Sequence, residues 1–274
     1  MRFTAMMLAL LTFTMAYGQA AVVTPDLVHP SGAIGQIDLP RSQHMKNTGG
    51  IGPGGPGTGA GLCVFTSIQH AARWHNIPVF MAEFQKWMMN MPGGGHPSKV
   101  DQMIKTFCRE KGIHQPPPYM QDTSGDLNLL ASVVQHGYMP GITYCFSPTG
   151  RYSGQYIAHM VNCVAARAGP QKNLWAILDN NYPGTIEWMD EKTFARTFIE
   201  RGGGWFFIWL APPPPPPPLN LSTIRHGIRT VTMQEGTKLP VPHTTMAAIP
   251  VELWLGNSKR RQSCCCNDIR EWDA

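Results

Sequence analysis

The chain has 274 residues, a formal net charge of +5, and 14% charged against 43% hydrophobic residues. This composition excludes a wholly disordered chain and leaves room for one domain of ordinary size with appendages. Lysines and arginines are scattered apart from Lys259-Arg260-Arg261, which argues against nucleic-acid binding, and 28 glycines with 25 prolines indicate long irregular stretches.

The N-terminus has the pattern of an export signal. Arg2 is followed by an apolar run from Ala5 to Ala16, and Gly18-Gln19-Ala20 supplies small residues for a cleavage site. The run is too short to span a bilayer comfortably. We therefore predict a signal peptide over residues 1–20, an exported protein in the periplasm or outside the cell, and no membrane span.

Residues 21–61 are predicted to form an extended approach segment and a glycine-rich loop. Ile37-Asp38-Leu39-Pro40 has the character of an edge strand. Residues 49–61 carry too little side chain to pack, so their backbone can approach a neighbouring site closely. Glycine-rich loops before helices also bind phosphate, but no Gly-Lys-Ser/Thr ends this one, which disfavours a nucleotide site.

Helices and then strands are predicted after this loop. Apolar residues at helical spacing predict helices from Cys63 to His75, from about Met81 to Met89, from about Pro97 through Phe107, and from Asp126 to His136. Extended patterns predict strands at residues 137–146, 156–164, 174–178, 185–189 and 205–210, with a short helix over 191–200. The predicted class is α+β, a helical half packed against an antiparallel β half within residues 62–211.

The C-terminal part of the chain is predicted to lie outside this domain. Seven consecutive prolines at residues 212–218 lack backbone donors and are stiff, which predicts a linker. Residues 219–274 show no sustained period, which predicts a weakly ordered tail.

Seven cysteines in an exported protein leave at least one thiol unpaired within the chain. Cys63 fits that role, because it follows the glycine-rich loop and begins a helix whose partial positive charge stabilises a thiolate. Cys108, Cys145 and Cys163 have the context of buried, inert cysteines. The adjacent cysteines at 264–266 cannot easily bond to one another.

A cysteine nucleophile needs a base and a third group that holds the base in the right tautomer, and both occur downstream. His159 lies in an apolar, β-branched run that predicts a buried strand. Asp179 and Asn180 follow the next strand, where either side chain could accept from the imidazole. A lone cysteine or strand histidine is commonly structural, but this order and context together favour a catalytic site. No ligand spacing indicates a metal, and no cofactor is expected.

These segments resemble the papain-like cysteine peptidase superfamily. Gly61-Leu62-Cys63-Val64-Phe65-Thr66-Ser67 is similar to the family's Gly-Ser-Cys-Trp-Ala-Phe-Ser helix start, and the two strands are similar to its His-Ala-Val and Lys-Asn-Ser-Trp-Gly segments. The shorter pattern looks more like the bacteriocin-processing leader peptidases. The resemblance implies Cys63 as nucleophile and His159 as general base and then acid. Asn180 would orient the histidine, with Asp179 as the alternative, since an aspartate is usual in that branch.

The resemblance covers roughly residues 36–211 and departs from the family upstream of the cysteine. Lys46-Asn47-Thr48-Gly49 is similar to the family's Lys-Asn-Gln-Gly, but Thr48 stands where the glutamine that completes the oxyanion hole belongs. Gln43 and Asn47 are the candidate replacements, and the sequence does not choose between them.

The function implied by the resemblance is that of an exported cysteine peptidase, which cleaves a peptide or protein substrate through a thioester acyl-enzyme. Two alternatives stay open at this point. One is an amide-forming acyltransferase on the same fold. The other is an inactive domain that keeps the cleft only to bind peptides, and the missing upstream glutamine favours this second alternative.

Overall fold

The computed structural model describes residues 21–215; the predictions for residues 1–20, for the end of the proline run and for residues 219–274 lie outside that part. Across residues 21–215, five α-helices and one seven-stranded antiparallel sheet are present, which confirms the α+β class. None of the helices in this range is long and apolar enough to cross a membrane.

The helices lie close to the predicted positions. They are α1 Cys63–Trp74, α2 Pro78–Met88, α3 Pro97–Glu110, α4 Leu127–Gln135 and α5 Glu191–Ala195. Proline opens α2 and α3, where its fixed φ suits a helix and its missing N–H is not needed. Asp126 caps α4 by accepting from the N–H groups of Asn128 and Leu129. α5 continues into a π-helical turn over Arg196–Glu200.

Every neighbouring pair of strands in the sheet is antiparallel. The strands are β1 Val22–Thr24, β2 Tyr119–Asp122, β3 Gly141–Thr143, β4 Met160–Ala168, β5 Leu174–Leu178, β6 Ile186–Asp190 and β7 Phe206–Trp209, in the order β1-β6-β5-β4-β3-β7-β2. β5 is buried throughout, as its unbroken apolar run predicted. α1 packs against β3, β4 and β7, which brings the start of α1 to the start of β4.

The sheet edges differ from the predictions. The N-terminal edge strand is β1, paired with β6, and not the predicted segment 37–40. Ile37 still touches the sheet, because its N–H donates to Val164 O where the register of β4 shifts. The other edge, β2, was not predicted, since its half-buried residues show no alternation of apolar and polar side chains.

Aromatic packing holds the first three helices against β7. The rings of Phe80, Phe84 and Phe107 form a cluster with centroids 4.9–5.0 Å apart, and Trp209 lies 4.7 Å from Phe80. The indole N–H of Trp209 also donates to Ile68 O in α1 at 3.1 Å. Because each of these side chains is fully buried, truncating one to alanine should cost about 3–5 kcal/mol.

The glycine-rich loop is held by its own backbone. Residues 49–61 pack directly on residues 91–95, and Gly94 N–H donates to Gly61 O at 2.8 Å. A Cβ placed on Gly93 would lie 1.7 Å from the carbonyl oxygen of Ala60. The two glycine-rich segments therefore meet backbone to backbone, and this contact positions the turn that leads into α1.

Candidate active site

Cys63 is the first residue of α1, and its side chain is buried. No side chain caps the helix at Leu62, so the first-turn N–H groups keep their partial positive charge. Burial alone would raise the pKa of the thiol. Interaction with His159 and hydrogen bonds from the backbone N–H groups of Met160 and Val64 outweigh burial and lower that pKa. The site therefore favours the thiolate.

His159 lies immediately before β4 and faces two partners. Its Nε2 lies 2.8 Å from Oδ1 of Asp179, which leaves Nδ1 for the sulfur of Cys63. Burial would lower the pKa of the imidazole, but the hydrogen bonds to Asp179 and Cys63 and their charges raise it above its ordinary value. The geometry therefore favours a thiolate–imidazolium pair.

Asp179 follows β5 and is fully buried. Its Oδ1 accepts from His159 and from the backbone N–H of Asn181 at 2.8 Å, and its Oδ2 accepts from the hydroxyl of Tyr152 at 2.6 Å. Burial would raise the pKa of this carboxyl, but the bonds to His159 and Tyr152 lower it. Asp179 is therefore a charged acceptor beneath the imidazole.

Asn180 points away from His159. Its Nδ2, which carries two hydrogens, lies within hydrogen-bond distance of three oxygens that share them: Cys63 O at 3.1 Å, Ser67 Oγ at 3.0 Å and Met160 O at 2.9 Å. β5 ends at Leu178 and Asn180 lies in a turn, and the side chains of Asp179 and Asn180 face different partners. The structure brings Asp179 to the imidazole, whereas Asn180 ties the first turn of α1 to the start of β4.

Gln43 lies toward the far end of α1. Its carbonyl accepts from the guanidinium of Arg73 at 2.6 Å, and two residues later the N–H of Met45 donates to Nε2 of His70. The chain from Gln43 thus runs antiparallel to α1. Since each helical residue adds about 1.5 Å, Arg73 lies about 15 Å along the axis from Cys63. Gln43 is not placed to reach the sulfur.

Asn47 lies at the near end of the same segment. Its N–H donates to Asn180 O at 2.7 Å, and its Nδ2 donates to Oδ1 of Asn181 at 3.1 Å. The same Nδ2 is 3.3 Å from the position that a Cβ on Gly61 would occupy. Its Oδ1 is buried and has no hydrogen-bond partner. The side-chain amide of Asn47 therefore lies beside the turn that carries Cys63.

A buried charged cluster next to Asp179 was not predicted. Arg151 Nη1 lies 4.0 Å from Asp179 Oδ2 and 3.7 Å from Oε2 of the fully buried Glu187. Hydroxyls of three residues donate to that glutamate: Tyr144, Ser147 and Thr149. The one available sequence signal was a glutamate inside an otherwise apolar strand, because such a charge requires partners when buried.

A cavity of about 170 Å³ lies elsewhere, under the N-terminal segment against β4, β5 and β6. Its lining includes Leu27, Ile37 and Leu178 and none of the residues Cys63, His159 and Asp179. Among residues 21–215, no group of three or more His, Cys, Asp or Glu side chains is arranged to hold a metal ion.

No family model matches this chain, and no curated protein matches it significantly. Function is therefore inferred from the residues and from the geometry of the site. That geometry is a buried thiol, an imidazole and a carboxylate in hydrogen-bonded sequence, with the start of a helix behind the sulfur.

Proposed function

We propose that this chain is an exported papain-like cysteine peptidase whose catalytic triad is Cys63, His159 and Asp179. The observation that supports this most strongly is the hydrogen bond of 2.8 Å between Nε2 of His159 and a carboxylate that is itself fully buried. It orients the imidazole with Nδ1 toward the thiol and stabilises the protonated ring, and these are the two tasks of the third member of such a triad.

The reaction begins with the thiol proton on His159. The thiolate of Cys63 attacks a peptide carbonyl, and the carbonyl π electrons move onto its oxygen. As the tetrahedral intermediate collapses, the C–N bond breaks and the imidazolium gives its proton to the leaving amine. Water then attacks the thioester with His159 as general base, which releases the acid and restores the thiol.

Two N–H groups are available for the developing oxyanion in this proposal. One is the backbone N–H of Cys63, in the first turn of α1, which has no partner within the helix. The other is the side-chain amide of Asn47, one of whose two Nδ2 hydrogens is used by Asn181. One such donor is commonly worth about 10²–10³-fold in kcat, so Asn47 would compensate for the missing glutamine.

The two alternatives differ from the peptidase at separate steps. An acyltransferase shares every step up to the thioester and uses an amine in place of water. An inactive peptide-binding domain would not need a charged carboxylate beneath a buried histidine. Burying such a charge is unfavourable unless it is paired. The presence of Asp179 therefore supports a catalytic site and not an inactive peptide-binding domain.

The test is alkylation of the full-length protein with iodoacetamide between pH 4 and pH 9, with each labelled thiol located by mass spectrometry. We expect Cys63 to react well below the ordinary thiol pKa, and His159→Ala to remove this reactivity at low pH. The other described thiols, Cys108, Cys145 and Cys163, are internal controls in the same sample. Reaction of Cys63 only near the ordinary thiol pKa, regardless of His159, would contradict the proposal.

Peptide digestion then separates the alternatives. A peptide library is incubated with wild type and with Cys63→Ser, with and without added hydroxylamine. Free carboxylic acid products that require Cys63 indicate a peptidase. New amides as the main products without hydroxylamine indicate an acyltransferase. Hydroxamates in the treated sample show only the thioester that both enzymes form. An activated Cys63 that yields neither product but binds peptides would favour the binding domain.

A further inference from the structure

Tyr152 contacts two members of the proposed triad. Its ring packs edge-on against that of His159, with centroids 5.8 Å apart, and its hydroxyl donates to Oδ2 of Asp179 at 2.6 Å. The same hydroxyl oxygen accepts from Nδ2 of Asn181 at 3.0 Å. Because Asn181 occupies the oxygen as a donor, the phenol proton is directed at the carboxylate.

The hydrogen-bond chain extends further, to Asn47. Nδ2 of Asn47 donates to Oδ1 of Asn181, and Nδ2 of Asn181 donates to the oxygen of Tyr152. Both ends of the Asn181 amide are therefore engaged, which sets its orientation. Every donor in this chain points toward Asp179, so the amide beside Cys63 and the carboxylate beneath His159 belong to one polar network.

The second oxygen of Asp179 depends on this network. Arg151 approaches Oδ2 only to 4.0 Å, beyond hydrogen-bond distance, and is shared with Glu187 at 3.7 Å. The hydroxyl of Tyr152 is thus the hydrogen bond that satisfies Oδ2. Burial and the neighbouring charge of Asp179 raise the pKa of this phenol far above its usual value, so it remains a donor at every working pH.

We propose that Tyr152 is a positioning residue of the active site, whose hydroxyl keeps Asp179 ionised and turned toward His159. This inference rests on the proposed function, because it assigns Tyr152 a role in the same thiolate–imidazolium pair. Without the hydroxyl, a buried carboxylate oxygen loses its hydrogen bond, the carboxyl protonates more readily, and support for the imidazolium fails at a higher pH.

The test compares Tyr152→Phe with Tyr182→Phe. Tyr182 is the matched control, because its ring packs on that of Tyr152 at 5.6 Å while its hydroxyl donates to Arg151 O and not to Asp179. The measurement is the pH at which alkylation of Cys63 reaches half its first plateau. We expect Tyr152→Phe to raise this pH by about 0.5–1 unit, because only part of the free energy of the lost hydrogen bond to Asp179 is transmitted to Cys63. Tyr182→Phe should leave the half-plateau pH unchanged.

A second variant keeps the hydroxyl of Tyr152, so its hydrogen bonds and the packing around it are retained. Tyr152→3-fluorotyrosine, introduced by codon suppression, makes the phenol a stronger donor and should lower the half-plateau pH slightly. Unchanged values for both Tyr152 variants, or equal shifts in Tyr152→Phe and Tyr182→Phe, would overturn the positioning role. Wild-type protein without an acidic plateau would instead overturn the proposed function, so the two failures are distinguishable.

Discussion

Replacement of Asp179 by asparagine tests which residue orients His159. The change removes a charge but keeps the shape of the side chain and an acceptor oxygen, so the buried hydrogen bond of 2.8 Å to the imidazole becomes a neutral one. A hydrogen bond to a charged group contributes about 1.5–3 kcal/mol and a neutral one about 0.5–1.5 kcal/mol, so about 1–1.5 kcal/mol is lost. At about 1.4 kcal/mol per pH unit, the half-plateau pH for alkylation of Cys63 should rise by about 1 unit.

The pKa shifts of His159 and Cys63 determine the direction in which the half-plateau pH moves. The pKa of His159 is raised and that of Cys63 is lowered, so the ion pair forms at a pH below the ordinary thiol range. In Asp179→Asn, no carboxylate charge offsets the desolvation of the buried ring, so the pKa of the imidazole falls and the ring loses its proton at a lower pH. The thiolate then forms without an adjacent cation, which requires a higher pH.

Asn180→Ala is the partner measurement. It removes an amide that donates to Cys63 O, Ser67 Oγ and Met160 O. The free energy of unfolding in urea should fall by about 1–3 kcal/mol, while the half-plateau pH stays within a few tenths of a unit. A shift of the half-plateau pH in Asn180→Ala without one in Asp179→Asn would refute the role of Asp179 in orienting His159.

Two further predictions concern stability. Gly93→Ala places a Cβ against the backbone oxygen of Ala60, so one glycine-rich segment must shift; we expect a loss of about 1–3 kcal/mol, measured as a fall of several degrees in Tm. An unchanged Tm would show that the two segments separate easily. Burial lowers the pKa of His70 to about 3, below that of the unfolded chain, so the contribution of this residue to stability is full above about pH 6.5 and is lost as the pH drops from there toward 3. His70→Gln should flatten this decline between pH 7 and pH 5, measured by urea unfolding at each pH, and a parallel decline in the variant would contradict the assignment.

The parts of the site that could be predicted are those that a short stretch of sequence determines. Helix α1 begins at Cys63, as the glycine-rich loop followed by helical spacing predicted, and β5 matches its predicted bounds. His159 lies one residue before β4 and not within it, because its carbonyl accepts from Tyr144 outside the regular ladder. Such a shift of a strand end depends on the neighbouring chain and has no local signature.

The choice between Asp179 and Asn180 could not be made from the sequence. Both residues follow β5 at the start of a turn, and which one meets His159 depends on how the sheet orients the strand end. The oxyanion donor posed a similar problem, since Gln43 and Asn47 lie in one segment whose course along α1 is set by long-range contacts.

The position of Asn180 links the element that carries Cys63 to the element that carries His159. The nucleophile lies on a helix and the base immediately before a strand, and the amide of Asn180, next to the residue that holds the base, contacts both elements. Any thermal motion that lifts α1 from β4 must break either the contacts of this amide with Cys63 O and Ser67 Oγ or its bond to Met160 O, together with the direct bond from Ser67 Oγ to Met160 O. The distance between sulfur and imidazole is therefore coupled to the packing of α1 on β4, and loss of thiol activation should coincide with global unfolding and not precede it.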